Sequence, residues 1–291
     1  MERDATPAQA GAMLVGTCNW ADHEDFYPPG TKPTDRLAYY ARHFRVVEID
    51  STFYAIQPAR NFERWARVTP DDFVFNVKAY RELTRHDRQK EPEARTFEIF
   101  HQAIQPLRDA GKLRAVHFQF PSWFVASKQN REYILTAREF FPGDTFAVEF
   151  RHRSWFTPET RVETLEFLRR NGLVHVMVDA PQVGSGTVPK VVAVTSPELA
   201  VIRFHGRNTA TWYKKADTTG QRFDYLYAQA ELAEWLPAAR EAASQAREVH
   251  VLMNNNRANY AVRNARDFQS LLGQPVVPEG EGTLADQERL F

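Results

Sequence analysis

The hydrophobic pattern changes period repeatedly along the chain, from alternation over five to nine residues to a helical repeat and back. Alternation predicts strands at Met13 to Trp20, Val46 to Tyr54, Phe73 to Tyr80, Leu113 to Pro121, Thr145 to Arg151, Val174 to Ala180, Leu199 to Arg207 and Glu248 to Asn256. Between them, apolar residues at three- and four-residue spacing predict helices at Thr34 to Phe44, around Phe62 to Val68, at Glu93 to Ala110, Arg131 to Phe141, Pro158 to Arg170, Ala230 to Ala243 and Tyr260 to Leu272. After the sixth strand, PQVGSGTVPKVVAVTSP carries too much Gly and Pro for a long helix, so the repeat is degraded there.

Eight strands, nearly every one followed by a helix, predict an α/β fold: a single parallel (β/α)8 TIM-type barrel over residues 13–273. Flexible tails are expected at residues 1–12 and 274–291.

The stretch VVEIDSTFY sets Val47, Ile49, Ser51 and Phe53 on one face and Glu48, Asp50 and Thr52 on the other. Acidic groups toward a strand's C-terminal end suit the inner, polar mouth of a barrel, where barrel active sites lie. The same period of two places Cys18, Asn76, Lys78, His117, Gln119, Glu149, Arg151, Asp179, Arg203, His205 and Asn254 at that mouth.

Two readings of this ring follow. It could be a self-neutralising network in which Lys78, Arg151 and Arg203 balance Glu48, Asp50, Glu149 and Asp179, because buried charges must be paired. As a whole set in one cleft it points instead to a site, with Glu48, Asp50, Lys78, Glu149, Arg151, Asp179 and Arg203 as candidate catalytic residues. Glu48 or Glu149 would serve as acid or base while Lys78 and Arg203 hold an anionic group.

A divalent metal on Glu48, Glu149, Asp179, His117 and His205 is chemically feasible but not favoured, since the interleaved cations repel it; no cofactor is expected. Cys18 reads as a small buried hydrophobe.

The loops at the mouth interleave Arg81, Arg85, His86, His152, Arg153, Arg207, Lys214 and Lys215 with Tyr54, Tyr80, Trp123, Trp155, Trp212 and Tyr213. Such mixtures bind phosphates and stack bases or sugar rings. Trp20, Tyr54, Asn76, Gln119, His152, Trp155, His205, Arg207, Trp212 and Asn254 are accordingly candidate substrate-binding residues.

Composition adds exclusions. Lys plus Arg equals Asp plus Glu at 37 each, so net charge names no partner. The 43% apolar content suffices for a large core. A single cysteine excludes an internal disulfide and a thiolate-rich metal site, and a reducing cytoplasm is the expected compartment. No signal peptide or membrane span is expected. The motifs G-x-G-x-x-G after the first strand, G-x-x-x-x-G-K-[ST], H-E-x-x-H and G-x-S-x-G are absent.

The segments GTCNW (Gly16 to Trp20), VEIDSTFY (Val47 to Tyr54), FNVKA (Phe75 to Ala79), FQFP (Phe118 to Pro121), VEFRHRSWF (Val148 to Phe156), IRFHGR (Ile202 to Arg207) and MNNNRANYAVRNA (Met253 to Ala265) resemble, in order, the YecE-like family, known as domain of unknown function 72. The resemblance implies a TIM-type barrel and no established reaction. That barrel is similar to the sugar-isomerase and endonuclease IV-like group, whose His- and Asp-rich metal pattern is not reproduced here.

At the end of the chain, Gln287, Leu290 and Phe291 form Q-x-x-L-F, which resembles the peptide by which bacterial repair proteins dock on the DNA sliding clamp. The leading expectation is thus a protein that binds or processes a phosphate-bearing substrate, nucleic acid foremost. The alternatives are a sugar or sugar-phosphate isomerase, lyase or hydrolase using paired carboxylates, and a non-catalytic adaptor docking through its tail.

Overall fold

The computed structural model describes residues 10–210, 212 and 223–278. Eight strands, β1 (Ala12–Cys18), β2 (Val46–Ile49), β3 (Val74–Lys78), β4 (Leu113–Gln119), β5 (Phe146–Glu149), β6 (Val174–Asp179), β7 (Leu199–Phe204) and β8 (Glu248–Met253), pair in chain order, all parallel, and close into a barrel. Around them lie α1 (Arg36–His43), α2 (Ala59–Arg67), α3 (Ala94–Ala103), α4 (Gln105–Asp109), α5 (Lys128–Glu139), α6 (Arg161–Arg170), α7 (Gln229–Ala233), α8 (Leu236–Gln245) and α9 (Tyr260–Leu272). The expected (β/α)8 barrel is therefore the fold. Among the described residues no helix is long and apolar enough to cross a membrane.

Helix ends follow local chemistry. The Ser127 hydroxyl accepts from Asn130 N (3.1 Å) at the start of α5, and Gly273, at φ +73°, closes α9 in the left-handed conformation that glycine adopts without steric cost. The single helices expected at Glu93 to Ala110 and Ala230 to Ala243 are each two. Pro106 and Pro237 lack an amide to donate and sit in the first turn of a new helix, α4 and α8.

Residues 180–198 carry no helix, as the Gly and Pro content predicts. The segment instead straps β6 by side-chain bonds: Thr195 Oγ1 accepts from His175 N and donates to Leu173 O, both at 2.7 Å.

The strand at Val46 is shorter than its alternation predicts. It ends at Ile49, and the chain turns through a 3-10 segment, Ser51–Phe53, in which Phe53 N donates to Asp50 O (3.0 Å). Thr52 therefore leaves the mouth, and its hydroxyl bridges the Ile49 and Lys78 carbonyls (2.8 and 2.6 Å).

Gly16 has a steric reason. A Cβ there would lie 2.0 Å from Val46 O, where the buried Tyr40 hydroxyl of α1 joins β1 to β2 by accepting from Thr17 N (2.8 Å) and donating to Val46 O (3.0 Å).

Candidate functional site

Register decides which side chains share the barrel interior. Cys18 pairs with Glu48, Glu48 with Asn76, Lys78 with His117, Gln119 with Glu149, and Arg203 with both Val178 and Leu252. In parallel sheets such partners point the same way. The expected polar ring therefore assembles, centred on Arg203, whose side chain is wholly buried.

Arg203 bridges two carboxylates. Its Nη1 donates to Glu149 Oε2 (2.6 Å), and its Nη2 donates to Glu48 Oε1 (2.5 Å) and lies 3.2 Å from Cys18 Sγ. The His117 ring spans the same pair, Nδ1 at 2.8 Å from Glu48 Oε2 and Nε2 at 3.3 Å from Glu149 Oε2. Glu149 also accepts from Gln119 Nε2 (2.8 Å) and pairs with Arg151 Nε (2.6 Å). His205 Nε2 lies 3.1 Å from both Glu149 Oε1 and Arg151 Nη2, and the Asn254 amide meets its Nδ1 at 2.8 Å.

These contacts fix the protonation of the knot. Burial alone would raise Glu48 and Glu149, but Arg203 with His117, and Arg151 with Arg203, outweigh it and hold both carboxyls well below the usual range. His117 is raised despite burial by Glu48, whereas burial and Arg151 push His205 down to about 3. The two imidazoles that touch Glu149 are thus shifted in opposite directions.

Asp50 differs. It sits at the rim, its side chain 19% exposed, with Lys78 Nζ 3.7 Å and Arg203 Nη2 3.9 Å from Oδ1. That oxygen has no hydrogen-bond partner among the described residues. Burial, reinforced by Glu48 and opposed by Lys78, raises its carboxyl to about 6. Lys78 Nζ also stands 4.9 Å over the Phe53 ring, and the Arg151 guanidinium 5.8 Å from the Trp212 ring centre.

Nearby, Thr84 Oγ1 contacts His86 Nδ1 (2.7 Å), and burial with Lys78, Arg81 and Arg151 lowers His86 to about 3. Three cations (Lys78, Arg151 and Arg203) thus face three carboxylates (Glu48, Asp50 and Glu149), with the His117 ring between two of the latter.

Among the described residues, the group with metal-ligand geometry is Cys18, Glu48 and Asp50, whose donor atoms lie within 4.8 Å of one another. The Arg203 guanidinium already contacts the Glu48 and Cys18 donors and approaches Asp50. A cation at that point would have to displace Arg203, so the donor set fits a guanidinium better than a metal.

Several expected site residues lie elsewhere. The period of two puts Asp179 in the ring, but Val178, not Asp179, stands beside Arg203, so Asp179 points outward with Phe204. There it accepts from Arg207 Nε (2.9 Å) and Nη2 (2.8 Å), Tyr227 Oη (2.7 Å) and Trp235 Nε1 (2.7 Å). Although burial opposes it, these donors lower its carboxyl. Arg207 leaves the mouth with it and also pairs with Glu234 (2.8 Å).

Trp155 is fully buried, stacked on Phe150 (4.0 Å) with Nε1 donating to Phe124 O (2.7 Å), and so is a core residue. His152 caps the turn that follows by accepting from Ser154 N (3.1 Å). Asn76 lies deeper than the mouth, 3.0 Å from His250 Nδ1. Trp20 packs edge-on against Trp65 (5.1 Å), and Tyr54 is 61% exposed at the rim. Tyr213, Lys214, Lys215, Gln287, Leu290 and Phe291 lie outside the described residues.

Sequence reasoning missed a second polar layer toward the base. His250 is wholly buried, with Nε2 2.6 Å from Glu248 Oε1, and Glu248 meets Arg114 at 3.4 Å. The alternation of Glu248, His250, Leu252 and Asn254 in EVHVLMNNN already carried that signal.

Comparison with known proteins agrees with this architecture. A DUF72 family protein of Enterococcus faecalis V583 superposes with a TM-score of 0.85 at 29% identity, covering 93% of this chain and 99% of that one. A DUF72 family protein of Thermotoga maritima MSB8 gives 0.80 at 35%, covering 90% of this chain and 100% of that one. The UPF0759 protein YunF of Bacillus subtilis (strain 168) is 39% identical over 266 residues, 89% of this chain and 94% of that protein. The family model described as "Protein of unknown function DUF72" matches residues 14–286, and the chain belongs to that family.

Proposed function

We propose that the barrel mouth is a proton-transfer site for a phosphate-bearing substrate, with Asp50 as the group that exchanges the proton and Lys78 and Arg151 as the cations that hold the phosphate. The observation that carries this reading is Asp50 itself: a rim carboxylate raised to about 6, with one oxygen lacking a hydrogen bond among the described residues and an ammonium 3.7 Å away. A carboxyl titrating near neutrality serves as base when ionised and as acid when protonated.

Glu48 and Glu149, expected to share acid–base work across the barrel, are both gripped by Arg203 and held ionised. Their role in this reading is to position Arg203 and Arg151. Lys78 and Arg151, the two cations nearest the opening, favour an anion over a neutral sugar. Nucleic acid is the phosphate-bearing class that best suits a site open to basic and aromatic loops.

The test is titration of the purified protein with inorganic phosphate, a sugar phosphate and an oligonucleotide, followed by turnover assays on phosphate esters across pH. Lys78→Met should weaken binding of every phosphate compound about tenfold, equivalent to about 1.4 kcal/mol. The parent's pH–rate profile should show a limb near 6, and Asp50→Asn should preserve binding and abolish turnover. Absence of any salt-dependent affinity for these compounds would overturn the reading.

A further inference from the structure

Beyond the mouth, a row of rings runs outward over the loops that follow β2, β3 and β4. Tyr54 stands edge-on to Phe53 (centroids 5.2 Å), Phe53 edge-on to His86 (4.7 Å) and His86 edge-on to Trp123 (6.0 Å). The Arg88 guanidinium lies 4.4 Å from the Trp123 ring centre. The row touches the candidate site at Phe53, beneath Lys78. Both ends are open, Tyr54 at 61% and Trp123 at 38% exposure, with Val125 at 40% beside the latter.

An indole exposed to this extent is ordinarily tucked away, yet here it is braced in place. Trp123 Nε1 donates to Arg85 O (3.1 Å), and Arg85 is held at φ +62°. Arg85 in turn packs over the Tyr133 ring (5.2 Å), while Tyr133 Oη donates to Leu83 O (2.6 Å).

The charges alongside are selective. Glu82 pairs with Lys90 and Glu91 with Arg85, and these cations are neutralised within the loop. Arg81 and Arg88 are exposed, and neither has a carboxylate within 4.0 Å among the described residues.

We propose that this row is a binding track for single-stranded nucleic acid, in which a base stacks on Trp123 while Arg81 and Arg88 hold backbone phosphates leading to Lys78. The inference rests on the phosphate reading of the mouth and extends it from one phosphate to a strand. Rings interleaved with unneutralised cations match the alternation of bases and phosphodiesters. A duplex keeps its base faces buried against one another and cannot offer one to an indole, so the ligand is single-stranded or locally opened.

The experiment measures fluorescence anisotropy of the full chain with a labelled oligothymidylate of about ten residues, competed by thymidine monophosphate and by a duplex of the same length. The strand should bind at least tenfold more tightly than the duplex or the mononucleotide. Trp123→Ala should weaken strand binding about tenfold, Trp123→Phe should retain it within about threefold, and neither should alter competition by the mononucleotide. Arg88→Gln should reduce the dependence of strand affinity on salt.

A circular dichroism melt establishes that the variants are folded. Mononucleotide binding with no preference for the strand, or strand binding indifferent to Trp123→Ala, would overturn the track and leave the mouth reading intact. Failure of both ligands to bind would overturn both.

Discussion

Asp50 and Asp179 both stand at the C-terminal ends of barrel strands, and they have opposite fates. Asp179 closes β6, faces outward, and takes donors from Arg207, Tyr227 and Trp235 until its carboxyl falls below its ordinary value. Asp50 follows β2 and faces the barrel rim. There two cations stand 3.7 and 3.9 Å away, one oxygen has no hydrogen bond among the described residues, and its carboxyl rises to about 6. A carboxylate saturated with hydrogen bonds is locked in one protonation state and serves packing. One left partly unmet keeps a proton to exchange.

That division can be broken at its strongest point first. Arg203 is the cation on which the interior depends, since Glu48 and Glu149 both bind it. Arg203→Met should cost about 3–5 kcal/mol, because it removes the guanidinium that bridges two buried carboxylates. That approaches the whole margin of an ordinary domain, about 5–15 kcal/mol, so urea melts should show a severely destabilised or insoluble protein. A loss below about 1 kcal/mol would mean that the interior carboxyls are protonated and the knot is not ionic.

Asp179→Asn comes next. It keeps the shape but turns an amide group toward donors that need an acceptor, at a cost of about 2–4 kcal/mol. Phosphate binding at the mouth should be unchanged in this variant. Lost binding in a protein that still melts near the wild-type temperature would return Asp179 to the site and dissolve the contrast with Asp50.

Alternation puts both aspartates at the mouth, and the structure parts them for a physical reason. Alternation read the inward phase of β2, β3, β4, β5, β7 and β8, because on each the polar residues share a face. On β6 the segment VHVMVD offers Val174, Val176 and Val178 on one face and His175, Met177 and Asp179 on the other. Pairing with the neighbouring strands selects the valine face, by setting Val174 beside Ala147 and Val178 beside Arg203. Pairing between strands is a tertiary fact that local periodicity does not contain.

Trp155 and Arg207 escaped for a related cause. Each follows the end of its strand, where the chain turns through Arg153–Trp155 or through Gly206 at φ +85°, and the period of two no longer applies. The ring of charges was legible from residue type alone. Which carboxylate Arg203 would saturate, and which it would leave at the rim, was not.

The last expected effect has the opposite sign from the others and is the sharpest test of the contrast. The Asp50 carboxyl titrates at about 6 in the folded chain against an ordinary value of 3.8, so the folded state holds its proton more tightly than the unfolded state does. Stability must then fall as pH rises through that window, and the loss is complete above it. Asp50→Asn abolishes the loss. It should leave stability unchanged near the lower end of the window and raise it by up to about 3 kcal/mol at neutral pH. Glu48 and Glu149, held below their ordinary value, contribute stability that is present above the usual carboxylate range and is lost only as pH falls beneath it, in this variant as in the parent. Urea melts of both proteins across this range check the signs together. Should Asp50→Asn destabilise the protein at neutral pH, Lys78 and Arg203 would be stabilising the ionised form of Asp50 by more than its burial costs. Asp50 would then belong with Asp179 among the packing carboxylates, and the proton-transfer role would fall with it.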